Sequence, residues 1–107
     1  MIPVCPLKDL LPGTGIRVDT DVPIAVFNAD GALYAIDDTC THQDASLADG
    51  YLEDCSVECP LHASTFGLRT GKPSGPPAKT AVRTHGVEVR DGVVFVLPSD
   101  VPVGAVP

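Results

Sequence analysis

Several things are scarce in this chain, and each shortage removes a class of function. Basic residues are few: seven Lys and Arg stand against fourteen Asp and Glu in 107 residues, a formal net charge of −7. So acidic a surface repels phosphate backbones and suits basic protein partners, so nucleic acid is not an expected ligand. The longest apolar run, Val93 to Leu97, falls far short of the ~20 residues a bilayer-spanning helix needs. The start, Met1-Ile2-Pro3-Val4-Cys5-Pro6, lacks the basic-then-apolar layout of a secretory leader. No membrane contact and a cytoplasmic setting are therefore expected. There is no Gly-x-Gly-x-x-Gly fingerprint for a flavin or nicotinamide nucleotide, and no internal repeat.

What is present is enough for one compact core and too little for two ordinary domains, with 44% hydrophobic residues. Short segments of strand-forming residues separated by turn residues indicate an all-β chain of antiparallel strands. The candidate strands are Ile2–Cys5, Gly15–Val18, Ile24–Asn28, Leu33–Asp37, Thr80–His85, Val87–Arg90 and Val93–Leu97. Asp30-Gly31 and Asp91-Gly92 sit between neighbouring candidates, and Asp-Gly is favoured where a hairpin turn needs positive φ, so both pairs read as hairpins. Lys8-Asp9-Leu10-Leu11 is too short for a stable helix and reads as a turn. Residues 101–107, rich in Pro and Gly, read as a mobile tail, leaving one domain over residues 1–100.

Between the two hairpins lies a stretch of about 38–77, rich in Cys, His, Gly and Pro, whose strand candidates are short: Gly50–Leu52, Ser56–Glu58 and Thr65–Leu68. It holds two potential metal-ligand pairs, Cys40-Thr41-His42 and Cys59-Pro60-Leu61-His62, separated by the sixteen residues Gln43 to Glu58. Two thiolates and two imidazoles suit either a structural zinc ion or a two-iron, two-sulfide cluster with one iron on the cysteines and the other on the histidines. Zinc fingers usually group Cys with Cys and His with His. Here each pair runs Cys then His, which favours the cluster, and its two neutral ligands would place the potential well above that of a four-cysteine ferredoxin.

Cys59-Pro60-Leu61-His62-Ala63-Ser64-Thr65-Phe66, with the Cys40-Thr41-His42 pair, resembles the Rieske family, in particular the small Rieske-type ferredoxins of bacterial ring-hydroxylating oxygenases. The resemblance covers nearly the whole chain. It implies an antiparallel β-sandwich or barrel base with an inserted cluster-binding subdomain. It also implies one [2Fe–2S] cluster, with Cys40 and Cys59 on the buried iron and His42 and His62 on the outer one. The function it implies is one-electron transfer, without catalysis of its own, from a flavin-containing reductase to a terminal oxygenase, in this case an aromatic-ring dioxygenase. A monomer is expected. With His42 and His62 used by the cluster, only His85 remains, so no two-His-one-carboxylate iron site can be assembled for substrate oxidation. His85 itself reads as a surface or half-buried residue without a role.

The neighbours of the ligands refine this. High-potential Rieske proteins carry an extra cysteine in each loop, joined as a disulfide, and this chain has Ala45 and Leu61 at those places. Ser64 stands where those proteins direct a serine hydroxyl at a bridging sulfide, while Phe66 replaces their tyrosine and has no hydroxyl. Hydrogen bonds to the sulfides favour the reduced state. The resemblance therefore implies a low potential within the roughly −150 to +300 mV Rieske range. Gly71-Lys72-Pro73-Ser74-Gly75-Pro76-Pro77 matches the family's proline-rich cover, with Gly75, Pro76 and Pro77 beside the cluster, or else is a stiff connection between subdomains. Gln43 and Asp44 read as solvated loop residues. Cys5 and Cys55 are expected to be free thiols in a reducing cytosol, and the Cys-x-x-His spacing assigns the ligand role to Cys59 rather than Cys55. Two related alternatives are a fixed Rieske subunit of a larger oxidoreductase, such as a nitrite reductase, and a zinc-stabilised interaction module.

Overall fold

The structure, a computed structural model, describes residues 2–20, 22–39, 46–60, 65–73 and 81–98. Among these are the strands β1 (Ile2–Pro6), β2 (Gly15–Val18), β3 (Ile24–Ala29), β4 (Ala32–Asp37), β5 (Tyr51–Glu53), β6 (Ser56–Glu58), β7 (Thr65–Gly67), β8 (Thr84–Arg90) and β9 (Val93–Leu97). Every pairing is antiparallel. Six strands form a nearly closed base sheet in the order β1-β9-β8-β4-β3-β2, and β5-β6-β7 form a second, small sheet. This is the all-β architecture of the Rieske fold.

The Asp-Gly turns behave as their residues require. Asp30 and Gly31 have φ of 54° and 96°, and Asp91 and Gly92 have 50° and 76°. Positive φ at both central positions matches the right-handed twist of the flanking strands. A third tight hairpin, β5–β6, turns through Asp54-Cys55, with Asp54 at φ 54°; lacking a glycine, it left no comparable signal in the sequence. The segment read as a turn forms a single 3-10 turn over Leu7–Asp9.

One expectation is corrected. Thr80–His85 and Val87–Arg90 are not two strands: β8 runs unbroken from Thr84 to Arg90, while Ala81–Arg83 are not in a strand and Thr80 lies outside the described residues. Gly86 is inside β8, opposite Leu97. It falls where β8 leaves β4, which it pairs through Thr84 and His85, and joins β9. A glycine at such a changeover lets a strand bend without breaking the ladder.

Strand alternation divides the apolar residues between two cores. Ile24 and Val26 of β3 and Ala35 of β4 face the interior of the base, with Leu10, Val94 and Val96. Ala25 and Phe27 of β3 and Ile36 of β4 face the other way, against Leu47, Val57, Cys59, Phe66, Leu68 and Val82. The small sheet is thus fastened to the outer face of the base by its own apolar contacts.

Phe27 is fully buried at the junction of base and small sheet. Phe27→Ala is expected to cost about 3–5 kcal/mol, read as a lower urea midpoint with an unchanged denaturant slope.

Candidate metal centre

The two ligand-bearing loops begin and end on ordered backbone. Thr39 and Ser46 form an isolated antiparallel bridge that closes the first loop, residues 40–45. Glu58 and Thr65, the facing ends of β6 and β7, close the second, which contains Cys59 and His62. The two necks lie side by side. After Ser46 the chain makes a 3-10 turn, Leu47–Asp49, and reaches Gly50, where a Cβ would run into the Glu58 carbonyl oxygen and lie 3.0 Å from Val57 Cγ2 and 3.1 Å from the Leu47 carbonyl oxygen. Only a glycine lets the exit of the first loop come this close to the residue before Cys59.

Cys59 is 2% exposed and packs with Leu47, Val57 and Phe66. Cys55 stands apart from Cys59. It precedes β6 as Cys59 follows it, so the two stand at opposite ends of the strand, roughly 13 Å apart at the rise of an extended chain. Leu68 N–H donates to the Cys55 carbonyl at 2.9 Å, which fixes Cys55 at the end away from the loops. Cys5 and Cys55 carry free thiols; burial, and after it the charge of Asp9, raises the Cys5 pKa.

Cys40, His42, Ala45, Leu61, His62 and Ser64 lie outside the described residues, as do Gln43, Asp44, Gly75, Pro76, Pro77 and the tail 101–107. Among the described residues no three metal-ligating side chains converge, since Cys59 is the one expected ligand among them. Phe66, at the place of the family's tyrosine, is fully buried, pairs with Val57 across β6–β7 and bridges to Pro73. The proline-rich segment therefore departs beside the second loop. Its return is secured where Val82 N–H donates to the Gly71 carbonyl at 2.9 Å, with Gly71 at φ 73° and a Cβ there blocked by the Val82 carbonyl.

Two carboxylates that the sequence did not single out end β4 and extend just beyond it. Asp37 Oδ2 accepts from Arg83 Nε at 3.1 Å, and Asp37 Oδ1 is 2.8 Å from His85 Nε2. The His85 ring, expected to be a surface or half-buried group, is 1% exposed and held by this carboxylate. Asp38 turns instead toward the first loop, accepting from Ser46 Oγ at 2.8 Å and Ala48 N–H at 2.9 Å. Neither aspartate had a signal of its own, because both look like ordinary residues at a strand end.

Two neighbouring loop necks, each leading into a sequence with one cysteine and one histidine, suit a two-iron cluster held by unlike ligands. Residues 1–86 match the Rieske [2Fe-2S] domain family. Over 100 residues the chain is 47% identical to the 3-phenylpropionate/cinnamic acid dioxygenase ferredoxin subunit of Escherichia coli K12, covering 92% of this chain and 94% of that one. The ferredoxin of carbazole 1,9a-dioxygenase from Nocardioides aromaticivorans IC177 is 33% identical, with a TM-score of 0.83 over 92% of this chain and all of its own. A ferredoxin of Sphingomonas yanoikuyae B1 is 30% identical, with a TM-score of 0.84 over 92% of this chain and 98% of its own. The chain belongs to the Rieske [2Fe-2S] family. It is of the ferredoxin kind, an electron carrier that does not itself oxidise substrate. Among the described residues no helix is long and apolar enough to cross a membrane.

Gly50→Ala forces the two loop necks apart. It is expected to cost about 1–3 kcal/mol, the usual range for overpacking, seen as a lower thermal midpoint.

Proposed function

We propose that Cys40, His42, Cys59 and His62 hold one [2Fe–2S] cluster, and that the chain takes single electrons from a flavin-dependent reductase and passes them to the terminal oxygenase of an aromatic-ring dioxygenase. The observation that carries this reading is the adjacency of the two loop necks, each supplying one cysteine-histidine pair, with Cys59 buried beneath them. The 47% identity to a dioxygenase ferredoxin subunit supports the choice of partner.

When bound, the cluster supplies a reversible one-electron couple. The protein's part is to hold it and tune it. Cys40 and Cys59 would hold one iron and His42 and His62 the other, so that an imidazole edge could serve both donor and acceptor. Ser64 would offer its hydroxyl to a sulfide. Phe66 offers none, and with Ala45 and Leu61 in place of a bracing disulfide the potential belongs at the low end of the family's range. Gly75, Pro76 and Pro77 would supply the third side, as the proline-rich cover does in the family. The two cysteine thiolates offset the charge of the oxidised core, so the holoprotein keeps the strongly acidic character of the chain and docks on basic patches of its partners. A monomeric carrier in the cytoplasm fits this role.

The purified protein is expected to be red-brown and to show an axial or rhombic paramagnetic resonance signal after dithionite reduction; a colourless, zinc-containing protein would refute the reading. Cys59→Ser should lose nearly all bound iron, whereas Cys55→Ser should keep wild-type iron content. In a reconstituted assay, product formation by the oxygenase should require this chain, and equal turnover in its absence would rule out the carrier role.

A further inference from the structure

Asp38 is 1% exposed, and a buried carboxylate is stable only where its oxygens are hydrogen-bonded or paired. Its described partners bear on the first loop or on the base beneath it. Its carbonyl oxygen accepts from Leu47 N–H at 2.7 Å, and its own N–H donates to the Pro23 carbonyl at 2.8 Å. Its Oδ1 accepts from Ser46 Oγ at 2.8 Å and from Ala48 N–H at 2.9 Å. Its Oδ2 lies 3.8 Å from Arg17 Nε, on a half-exposed side chain that bonds more closely to Asp19, at 2.8 Å.

The first loop leaves the base at Thr39 and returns at Ser46. One residue before the departure, Asp38 grips the first three residues of the return: Ser46 and Ala48 through its side chain, Leu47 through its main chain. A loop of six residues, 40–45, whose ends are clamped this way has little freedom to change the separation or twist of its ends. Cys40 is the first residue of that loop and His42 the third.

We propose that Asp38 is the positioning residue of the metal centre: its buried carboxylate, through Ser46 Oγ and Ala48 N–H, sets the span of the first loop and so the placement of Cys40 and His42. The proposal rests on the ligand reading above. It concerns the geometry and retention of the cluster, with hydrogen-bond acceptance as the active property of the carboxylate. An asparagine, whose amide oxygen can accept the same two bonds, should therefore substitute for it.

The test compares holoprotein of the wild type with Asp38→Ala, Asp38→Asn and Ser46→Ala. Two properties are read well below the unfolding temperature: the rate of iron release to an excess of bathophenanthroline, and the g-values of the dithionite-reduced protein. Asp38→Ala should release iron on the order of tenfold faster, as expected when bonds to a charged acceptor are lost, and should shift the g-values. Ser46→Ala should show a smaller change of the same sign, and Asp38→Asn should restore both properties to near wild type. Wild-type release and g-values in Asp38→Ala overturn the proposal, as do the same results in Ser46→Ala if the first variant does not fold. Failure of Asp38→Asn to restore them also overturns it, because charge rather than hydrogen bonding would then be the cause. A wild-type protein without a reduced-state signal overturns the ligand reading and this one with it, whereas a normal wild-type signal with unchanged variants overturns only the role of Asp38.

Discussion

The burial of β3 on both faces is the constraint from which the rest of the structure follows. Ile24 and Val26 close the interior of the base, while Ala25 and Phe27 form the floor on which the small sheet sits. A register slip of one residue would exchange the two sets and spoil both cores at once. The ladders from β2 through β3 to β4 are held in place accordingly. Since Asp38 follows β4 directly, the position of the first loop neck follows from the same packing.

The small sheet extends that constraint to the second loop. Val57, Phe66 and Cys59 pack on the floor provided by Phe27 and Ile36, so the end of β6 and the start of β7 cannot drift relative to β4. Gly50 removes the last obstacle by letting the two necks touch. The result is an apolar pedestal beneath the two loop necks. This suits electron transfer, in which the redox centre should change geometry little between its two states while remaining close to the surface.

Charge is distributed in the same spirit. Asp37 and Asp38, adjacent in sequence, turn in different directions. One binds Arg83 and His85 on the segment returning from the proline-rich stretch, and the other binds the return of the first loop. Among the described residues every buried side-chain polar atom has a partner, which is what allows carboxylates so near a low-dielectric core. The remaining acidic residues add to the formal net charge of −7.

Much of this was legible in the chain itself. Asp30-Gly31 and Asp91-Gly92 announce hairpins because few residue pairs tolerate two successive positive φ values, and short runs of strand-forming residues between turn residues mark β2, β3 and β9 as strands. The two Cys-His pairs announce their chemistry because few sites need those ligands in that order. Other features were decided only by tertiary contacts. Gly86 reads as a strand break until its place between β4 and β9 is seen, and Gly50 matters only for what lies opposite it. Asp38 and His85 look like a strand-end carboxylate and a spare histidine. Their roles depend on partners distant in sequence, and local pattern records what a residue is without recording what the fold brings against it.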